Sequence, residues 1–301
     1  MKKNAVNPLV SVAIITFNQR EFLRHCIDSV LKQDYDNLEI VIADDASTDG
    51  THELLQIYKA KYPAKFLIKI SAFNQGITKN SNVAHFSCSG KYIAWMGGDD
   101  LMLPGKIAAQ VDAMEADDGI TICYHDLDVF DSSSDRTLYL FSENNKPREG
   151  KCSVLVKYGA FNGACSTMVR RSATPAGGFD ERLPIASDWL YWVQSTYGGG
   201  KILYTNKILG RYRRHENNVT RADDGPRLKS MQDHMLTCSI ILSEMPEYFK
   251  EIKFRIAELL IVMRLYDNKK KYTKFLGASL AFSLRPKAIA GMFFSMLGQK
   301  R

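Results

Sequence analysis

The chain has 301 residues, which is enough for one large α/β domain and a smaller appendage. Its hydrophobic content of 45% and charged content of 24% are those of an ordinary globular protein. The formal net charge of +7 comes from residues 264–301, which carry nine Lys or Arg and one acid, whereas the rest sums to −1. Because the body of the chain is not basic, a nucleic-acid-binding protein is disfavoured and no nucleic-acid partner is expected.

The cysteines predict neither a disulfide framework nor a zinc site. They are scattered and form no C-x-x-C spacing: Cys26, Cys88, Cys123, Cys152, Cys165 and Cys238. We therefore expect reduced thiols and a reducing compartment. No signal peptide is expected after Met1, and no apolar stretch reaches the ~20 residues that span a bilayer.

The first third of the chain alternates between strand and helix patterns. Apolar, β-branched runs predict buried strands at residues 9–16, 38–43, 66–70 and 92–96. Helical spacing of apolar residues separates them, which predicts a mostly parallel sheet with helices on both faces. In such sheets, ligands bind beyond the carboxyl ends of the strands.

The later part of the chain is mixed, and it ends in helices. Short strands are predicted at 120–124, 137–141, 165–169, 202–204 and 208–212, with helices at 153–158 and 188–197. The polar segment at 223–226 is a plausible boundary, so we predict a catalytic domain over 1–222 and a basic helical region over 223–301. The helices expected in the second region cover 235–243, 249–265, 272–284 and 286–297.

The stretch YIAWMGGDDLMLP, residues 92–104, is the one around which the chain is organised. Two glycines end a buried strand, and two adjacent carboxylates, Asp99 and Asp100, follow. Such a pair repels itself unless a cation or a donor neutralises it, and a Mn²⁺ or Mg²⁺ ion shared with a diphosphate would do so. A solvated turn that caps the next helix is the alternative, and the pair alone does not decide between them.

Several motifs in order resemble the family 2 glycosyltransferases, which have an inverting mechanism and a GT-A fold. The opening segment VSVAIITFNQREFLRHCIDSVLKQDYDNLEIVIADDASTDGT carries strands that end in T-F-N and D-D-x-S-x-D. Residues 74–93, the segment GFDE at 178–181 with Asp188, and YRRH at 212–215 are also similar to the family pattern. The resemblance covers roughly residues 9–216 and implies a Rossmann-like sheet with a helical C-terminal extension.

The chain departs from the family pattern at two positions. Gly97 stands where the family often has an aspartate two positions before Asp99, which leaves a pair of carboxylates. Ser187 stands where an acidic residue often precedes the Asp-Trp pair. Both departures bear on the metal geometry more than on the fold.

The resemblance implies a donor site at the strand ends. Asp45 would accept the base imide N–H, Thr16 and Phe17 would form the wall around the base, and Asn18 would lie beside them or cap the next helix. Core packing is the alternative for Phe17, and capping of the following helix is the alternative for Asp45. The role of Asp44 stays open.

The resemblance also implies a metal site and diphosphate contacts. Asp100 is the first candidate ligand, Asp99 would reach the ribose or the metal, and His215 would add a ligand or a diphosphate contact. Arg211 and Arg214 are candidates for diphosphate contacts, with solvated side chains as the alternative.

Asp188 is the candidate general base for inversion, because the acceptor hydroxyl must lose its proton as it attacks the anomeric carbon. Trp189 and Trp192 could stack on sugar rings and desolvate this carboxylate. Asp188 could also open the following helix as its N-cap.

The sequence is compatible with two functions. In the first, the chain transfers a sugar from a nucleotide-sugar, with a UDP-sugar as the expected donor, to a hydroxyl of a glycan or lipid-linked acceptor in surface polysaccharide biosynthesis. In the second, an α/β protein binds a nucleotide-sugar or glycan without turnover.

The basic, apolar C-terminal segment predicts attachment to an anionic membrane surface at the cytoplasmic face, with packing against the catalytic domain or another subunit as the alternative.

Overall fold

The structure is a computed structural model that describes residues 7–216, 218, 224–263 and 272–282. Two compact units are present. The first comprises residues up to Cys152 together with Ala160–Glu216, and the second comprises Ser153–Gly159 and the described helices after Asn217. The segment Ser153–Gly159 therefore clusters with the C-terminal helices, although the sequence placed it within the first domain.

The first half of the first unit follows the predicted alternation. Its elements are β1 (Val10–Thr16), α1 (Arg20–Leu31), β2 (Leu38–Asp44), α2 (Thr51–Lys61), β3 (Phe66–Ile70), α3 (Ile77–Ser87), β4 (Tyr92–Gly97), β5 (Leu101–Met102) and α4 (Lys106–Ala116). The β1 side chains Val10, Val12 and Ile14 are fully buried. Helix α1 covers them with its own apolar stripe, as its helical spacing of apolar residues predicts.

The rest of the described chain is more irregular. It contains β6 (Ile120–Asp131), β7 (Thr137–Leu140), α5 (Phe141–Asn144), β8 (Gly150–Lys151), α6 (Cys152–Tyr158), β9 (Met168–Arg170), α7 (Asp188–Tyr197), β10 (Lys201–Arg214), α8 (Asp224–Glu244), α9 (Phe249–Met263) and α10 (Tyr272–Phe282). The helix predicted at 286–297 lies outside the described residues.

One mixed sheet organises the first unit, in the order β3-β2-β1-β4-β9-β6-β10-β5, with β7 paired to β6 and β8 to β10. The pairs β1–β2, β1–β4, β2–β3 and β6–β10 are parallel, whereas β9 is antiparallel to β4 and β6. The predicted α/β fold with a mostly parallel sheet and flanking helices is confirmed. The carboxyl ends of β1, β2 and β4 lie at one edge because these strands are parallel neighbours.

Two strand predictions were wrong. Residues 165–169 were predicted as a strand, but Ala164–Ser166 form a 3₁₀ turn and β9 begins only at Met168. Residues 202–204 and 208–212 were predicted as two strands, but they belong to one strand, β10. The register of β10 against β6 shifts between Thr205 and Ile208, so an irregularity interrupts the sequence pattern without ending the strand.

The second unit has a small core of its own between α9 and α10. Ile261 and Leu276 are buried against each other, and the Ser279 hydroxyl donates to the Ala257 carbonyl at 2.9 Å. Within the described residues, no helix is long and apolar enough to cross a bilayer.

Candidate active site

The two adjacent carboxylates lie directly after β4, as the sequence predicts. Asp100 is buried, and its backbone N–H donates to the Gly97 carbonyl at 3.2 Å, which closes a tight turn. A Cβ placed on Gly97 would lie 2.7 Å from Asp99 Oδ1 and 3.3 Å from Asp100 Oδ2. Oxygens of both carboxylates therefore converge on one small space beside the Gly97 backbone, and the absence of a side chain at position 97 leaves that space open.

Arg213, near the end of β10, and His215, just after it, contact this pair. The Arg213 backbone N–H donates to Asp100 Oδ1 at 3.0 Å, and Arg213 Nε donates to the Asp99 carbonyl at 2.7 Å. His215 Nε2 lies 2.9 Å from Asp99 Oδ2. Phe22 packs against both basic groups, with the guanidinium 4.8 Å from its ring centroid and the imidazole centroid 4.7 Å away.

The electrostatics of the pair are those of a crowded, buried site. Burial raises the pKa of Asp100 well above its usual range, and the neighbouring Asp99 charge adds to the effect, while Arg213 opposes it. Burial also lowers the pKa of Lys106, a fully buried side chain on α4, to about 8, and the Asp100 charge is among the smaller effects that oppose this shift. A bound cation would offset the Asp99 charge and so favour the ionised form of Asp100.

The chemistry of this cluster fits a hard divalent cation only in part. Two carboxylates are suitable ligands for Mn²⁺ or Mg²⁺, and the imidazole of His215 lies beside Asp99. Within the described residues, however, no group of three His, Cys, Asp or Glu side chains is arranged as a complete ligand set. The protein side therefore suits an ion that takes its remaining ligands from a bound diphosphate.

The strand ends next to this cluster carry the residues predicted for the nucleotide base. Thr16 is buried, and its carbonyl accepts the Asp45 N–H at 3.0 Å. Phe17 is 43% exposed, so its ring is available to a ligand rather than packed in the core. Asn18 has a φ of +51°, and its Oδ1 accepts the Thr48 N–H at 2.8 Å. The alternative that Asn18 caps α1 is wrong, because Gln19 holds the N-cap position.

Asp45 serves the backbone of a neighbouring turn. Its two carboxylate oxygens accept the N–H groups of Gln75 at 2.8 Å and Gly76 at 2.9 Å. The capping alternative for Asp45 is therefore wrong, and the contact with a base N–H stays a prediction that would use a further lone pair of this carboxylate. Asp44 is fully buried and is bound by Ser47 and by His52 Nε2 at 2.7 Å.

The two arginines predicted for the diphosphate, Arg211 and Arg214, bond to residues outside the carboxylate pair. Arg211 donates to Asp128 Oδ2 at 2.7 Å and to Asp135 Oδ1 at 2.8 Å. Arg214 donates to the Tyr139 hydroxyl at 3.3 Å. Arg213, between them in the strand, is bonded to both Asp99 and Asp100.

The sequence analysis missed Arg213, although a signal was available. Side chains alternate along a strand, so residues at odd positions of β10 share one face. If His215 is placed against Asp99, Arg213 must point the same way. Arg211 shares that face but lies two residues farther back, where Asp128 and Asp135 bind it.

Asp188 begins α7. Its Oδ1 accepts the Trp189 N–H at 2.8 Å, and the N-cap position belongs to Ser187, so the capping alternative for Asp188 is wrong. Burial raises the pKa of Asp188, which brings a carboxylate closer to the range of a general base at neutral pH. The expectation that Trp189 and Trp192 stack on sugars was wrong, because both indoles are fully buried.

This mostly parallel α/β sheet, which carries carboxylates, an imidazole and a guanidinium at its carboxyl edge, has the fold of the GT-A glycosyltransferases. The family model for glycosyl transferase family 2 matches residues 11–175, and the chain belongs to this family.

Curated relatives extend over most of the chain. An uncharacterised glycosyltransferase of Rickettsia prowazekii is 24% identical over 302 residues, covering 99% of this chain and 91% of that protein. Another from Haemophilus influenzae is 27% identical over 223 residues, covering 71% of this chain and 68% of that protein.

Solved structures share the fold. A mannosyltransferase from Pyrobaculum calidifontis in complex with GDP-Man and Mn²⁺ aligns with a TM-score of 0.65 at 18% identity, covering 98% of this chain and 81% of that chain. S. aureus TarS in complex with UDP-GlcNAc aligns with a TM-score of 0.67 at 17% identity, covering 97% of this chain and 92% of that chain.

Proposed function

We propose that the chain transfers a sugar with inversion from a nucleotide-sugar to a hydroxyl of an acceptor. The observation that carries this proposal is the convergence of Asp99 and Asp100 beside Gly97, with Arg213 and His215 in contact with them. Membership of glycosyl transferase family 2 supports it.

The carboxylate pair would hold Mn²⁺ or Mg²⁺ together with the donor diphosphate, which His215 would contact. When bound, the ion supplies Lewis-acid stabilisation of the negative charge that develops on the leaving nucleoside diphosphate. The protein itself supplies Arg213, a positive charge that is already fixed next to this site. The exposed ring of Phe17, beside Thr16, Asn18 and Asp45, would receive the base, for which UDP is the first choice.

Asp188 would take the proton of the acceptor hydroxyl. Its raised pKa makes it a stronger base than a solvated aspartate. Activity should therefore fall as the pH drops through the raised pKa, because the protonated carboxyl cannot accept a proton.

The acceptor is proposed to be a glycan or a lipid-linked saccharide of a surface polysaccharide. The net +8 of residues 264–301 supports attachment to an anionic membrane surface on the cytoplasmic side. Non-catalytic binding of a nucleotide-sugar is the second candidate, and it is favoured by one observation, the incomplete set of protein ligands around the pair.

Donor turnover by the wild-type chain separates the two candidates, and replacement of Asp188 by Asn tests the base. Turnover of UDP-GlcNAc and GDP-Man by the wild-type chain would be followed as release of the nucleoside diphosphate in the presence of Mn²⁺. We expect Asp188→Asn to lose about 10²–10⁴-fold in rate, because a positioned base contributes about that much. Its affinity for the nucleoside diphosphate should stay unchanged. A wild-type chain that binds these donors but never turns them over would favour the second candidate.

A further inference from the structure

Helix α3 makes polar contacts in two directions. On one side, Asn80 Nδ2 donates to the Ala43 carbonyl at 3.0 Å and to the Thr16 carbonyl at 3.4 Å. These carbonyls lie at the ends of β2 and β1, where the base is proposed to bind. The Thr16 carbonyl also accepts the Asp45 N–H, so Asn80 is bound to the same backbone as the donor residues.

On another side of α3, Asn82 holds the loop that precedes α7. Its Oδ1 accepts the Phe179 N–H at 2.7 Å, and its Nδ2 donates to the Phe179 carbonyl at 2.9 Å and to Glu181 Oε1 at 3.3 Å. A Cβ on Gly178, whose φ is +69°, would lie 2.5 Å from Asn82 Oδ1. The loop thus places both backbone polar groups of Phe179 against one buried amide side chain.

Thr78 holds the same loop nearer to Asp188. Its hydroxyl donates to the Leu183 carbonyl at 2.6 Å and lies 2.9 Å from Ser187 Oγ. Since a hydroxyl has one hydrogen, the Ser187 hydroxyl must donate to Thr78 when Thr78 donates to Leu183. Thr78 and Ser187 are buried, and Ser187 directly precedes Asp188.

The held loop is also packed onto the helix that Asp188 begins. The rings of Phe179 and Tyr191 are stacked, with centroids 4.0 Å apart and planes 3° apart. Tyr191 lies less than one turn after Asp188 on α7, and its N–H donates to the Ser187 carbonyl at 3.2 Å. Fixing Phe179 and Ser187 therefore fixes both the start of α7 and the backbone of Asp188.

We propose that α3 sets the position of Asp188 relative to the donor site, with Thr78 and Asn82 as positioning residues. This inference rests on the proposed function, since it assigns a purpose to the base and donor site defined there. Neither residue needs to touch the substrate. Each acts through the loop at 178–187, and a displacement of the base by about 1 Å can cost about 10²-fold in rate.

The test compares Thr78→Val, which keeps the shape and removes both hydroxyl bonds, with Thr78→Ser, which keeps the hydroxyl. The matched control is Thr196→Val, which removes a fully buried hydroxyl bonded to backbone carbonyls near the other end of α7. Asn82→Ala serves as the second variant. Thermal melting establishes that each variant folds, and hydrogen exchange of residues 178–187 reports the hold on the loop.

We expect Thr78→Val and Asn82→Ala to turn over the donor about 10–10²-fold more slowly, with unchanged affinity for UDP and Mn²⁺ by calorimetry. Thr78→Ser should recover most of the rate, and exchange in the loop should rise in the two slow variants only. In an Asp188→Asn background, Thr78→Val should cost less than threefold more, because the misplaced group is already disabled.

The inference is overturned if Thr78→Val turns over the donor at the rate of Thr196→Val. It is equally overturned if Thr78→Val loses rate and nucleotide affinity together, or if its cost is undiminished in the Asp188→Asn background. An inactive wild-type chain would be a different result, since it overturns the proposed function itself and this inference with it.

Discussion

At the residue scale, the absence of a side chain at position 97 matters as much as the carboxylates that follow it. The family pattern often places an aspartate at this position, and here it is Gly97. The geometry gives a physical reason why glycine suits this chain, since Asp99 Oδ1 lies where a Cβ would come within 2.7 Å. Any side chain at 97 must displace Asp99, and with it the bond to His215.

Gly97→Ala should therefore weaken the metal-dependent binding of UDP. Because Asp99 must move out of the shared space, we expect the factor by which Mn²⁺ raises the affinity for UDP to be at least tenfold smaller in the variant than in the wild type. Gly198→Ala is the control, since a Cβ there meets nothing within 4 Å. Isothermal calorimetry with and without Mn²⁺ measures the effect, and equal enhancement in Gly97→Ala and wild type would refute the steric argument.

At the element scale, strands and their ends could largely be predicted from the sequence, whereas side-chain partners could not. Buried β-branched runs predicted β1, β2 and β4, and with them the edge where Thr16, Asp45 and Asp99 lie. The shift of register in β10 could not be foreseen, because the local pattern does not show a bulge that tertiary pairing tolerates. The base contact of Asp45 stays a prediction, and its bonds from the N–H groups of Gln75 and Gly76 could not be foreseen, because only the fold brings that turn close.

Glu39 in β2 joins elements in a way that no local pattern predicts. Its carboxylate accepts the Ser11 hydroxyl, the Ser89 N–H at 2.6 Å, the Ser89 hydroxyl at 2.8 Å and the Gly90 N–H at 3.2 Å. Partial burial raises its pKa, but the hydrogen bonds from Ser11, Ser89 and Gly90 together outweigh burial, so the pKa of Glu39 is lowered. The ionised carboxylate thus ties β1 and β2 to the turn that precedes β4.

Glu39→Gln should lower the free energy of unfolding by about 1–3 kcal/mol at pH 7, because an amide cannot accept all of these donors. A lowered pKa in the folded state means that the stabilisation is present above the unfolded pKa and is lost as the pH falls through the folded pKa. Urea unfolding at pH 7 and at acidic pH should show the difference shrink. Glu53→Gln, at an exposed position of α2, should change stability by less than about 0.5 kcal/mol. Equal effects from both variants would contradict this role.

At the scale of the whole molecule, the charge is divided between a neutral body and a basic C-terminal region. Residues 264–301 carry a net +8, and Lys269, Lys270 and Lys271 form its densest cluster. These three residues lie outside the described part of the chain, so the argument for membrane attachment is one of charge and sequence alone. Each base near an anionic surface contributes about 1 kcal/mol.

Neutralising these three lysines together with Gln should reduce binding to anionic liposomes by about 10²-fold, following the contribution of about 1 kcal/mol for each base. Sedimentation with vesicles of varied anionic lipid content, at low and high salt, measures the change. The control variant has Gln at the exposed Lys65, Lys146 and Lys207, so its net charge equals that of the first triple variant. It should bind like the wild type. If both triple variants bind equally well, or the wild type ignores anionic vesicles, the basic region is not a membrane anchor.

The metal-dependent binding of a nucleoside diphosphate tests the central claim most directly, namely that the carboxyl end of β4 is the donor site. Calorimetry of UDP and GDP binding would be done with and without Mn²⁺, on the wild type and on Asp100→Ala. We predict that Mn²⁺ strengthens binding to the wild type and that Asp100→Ala loses this enhancement, although its fold and its thermal unfolding remain cooperative. If Asp100→Ala keeps the Mn²⁺ enhancement of the wild type, the carboxylate pair is not the donor site.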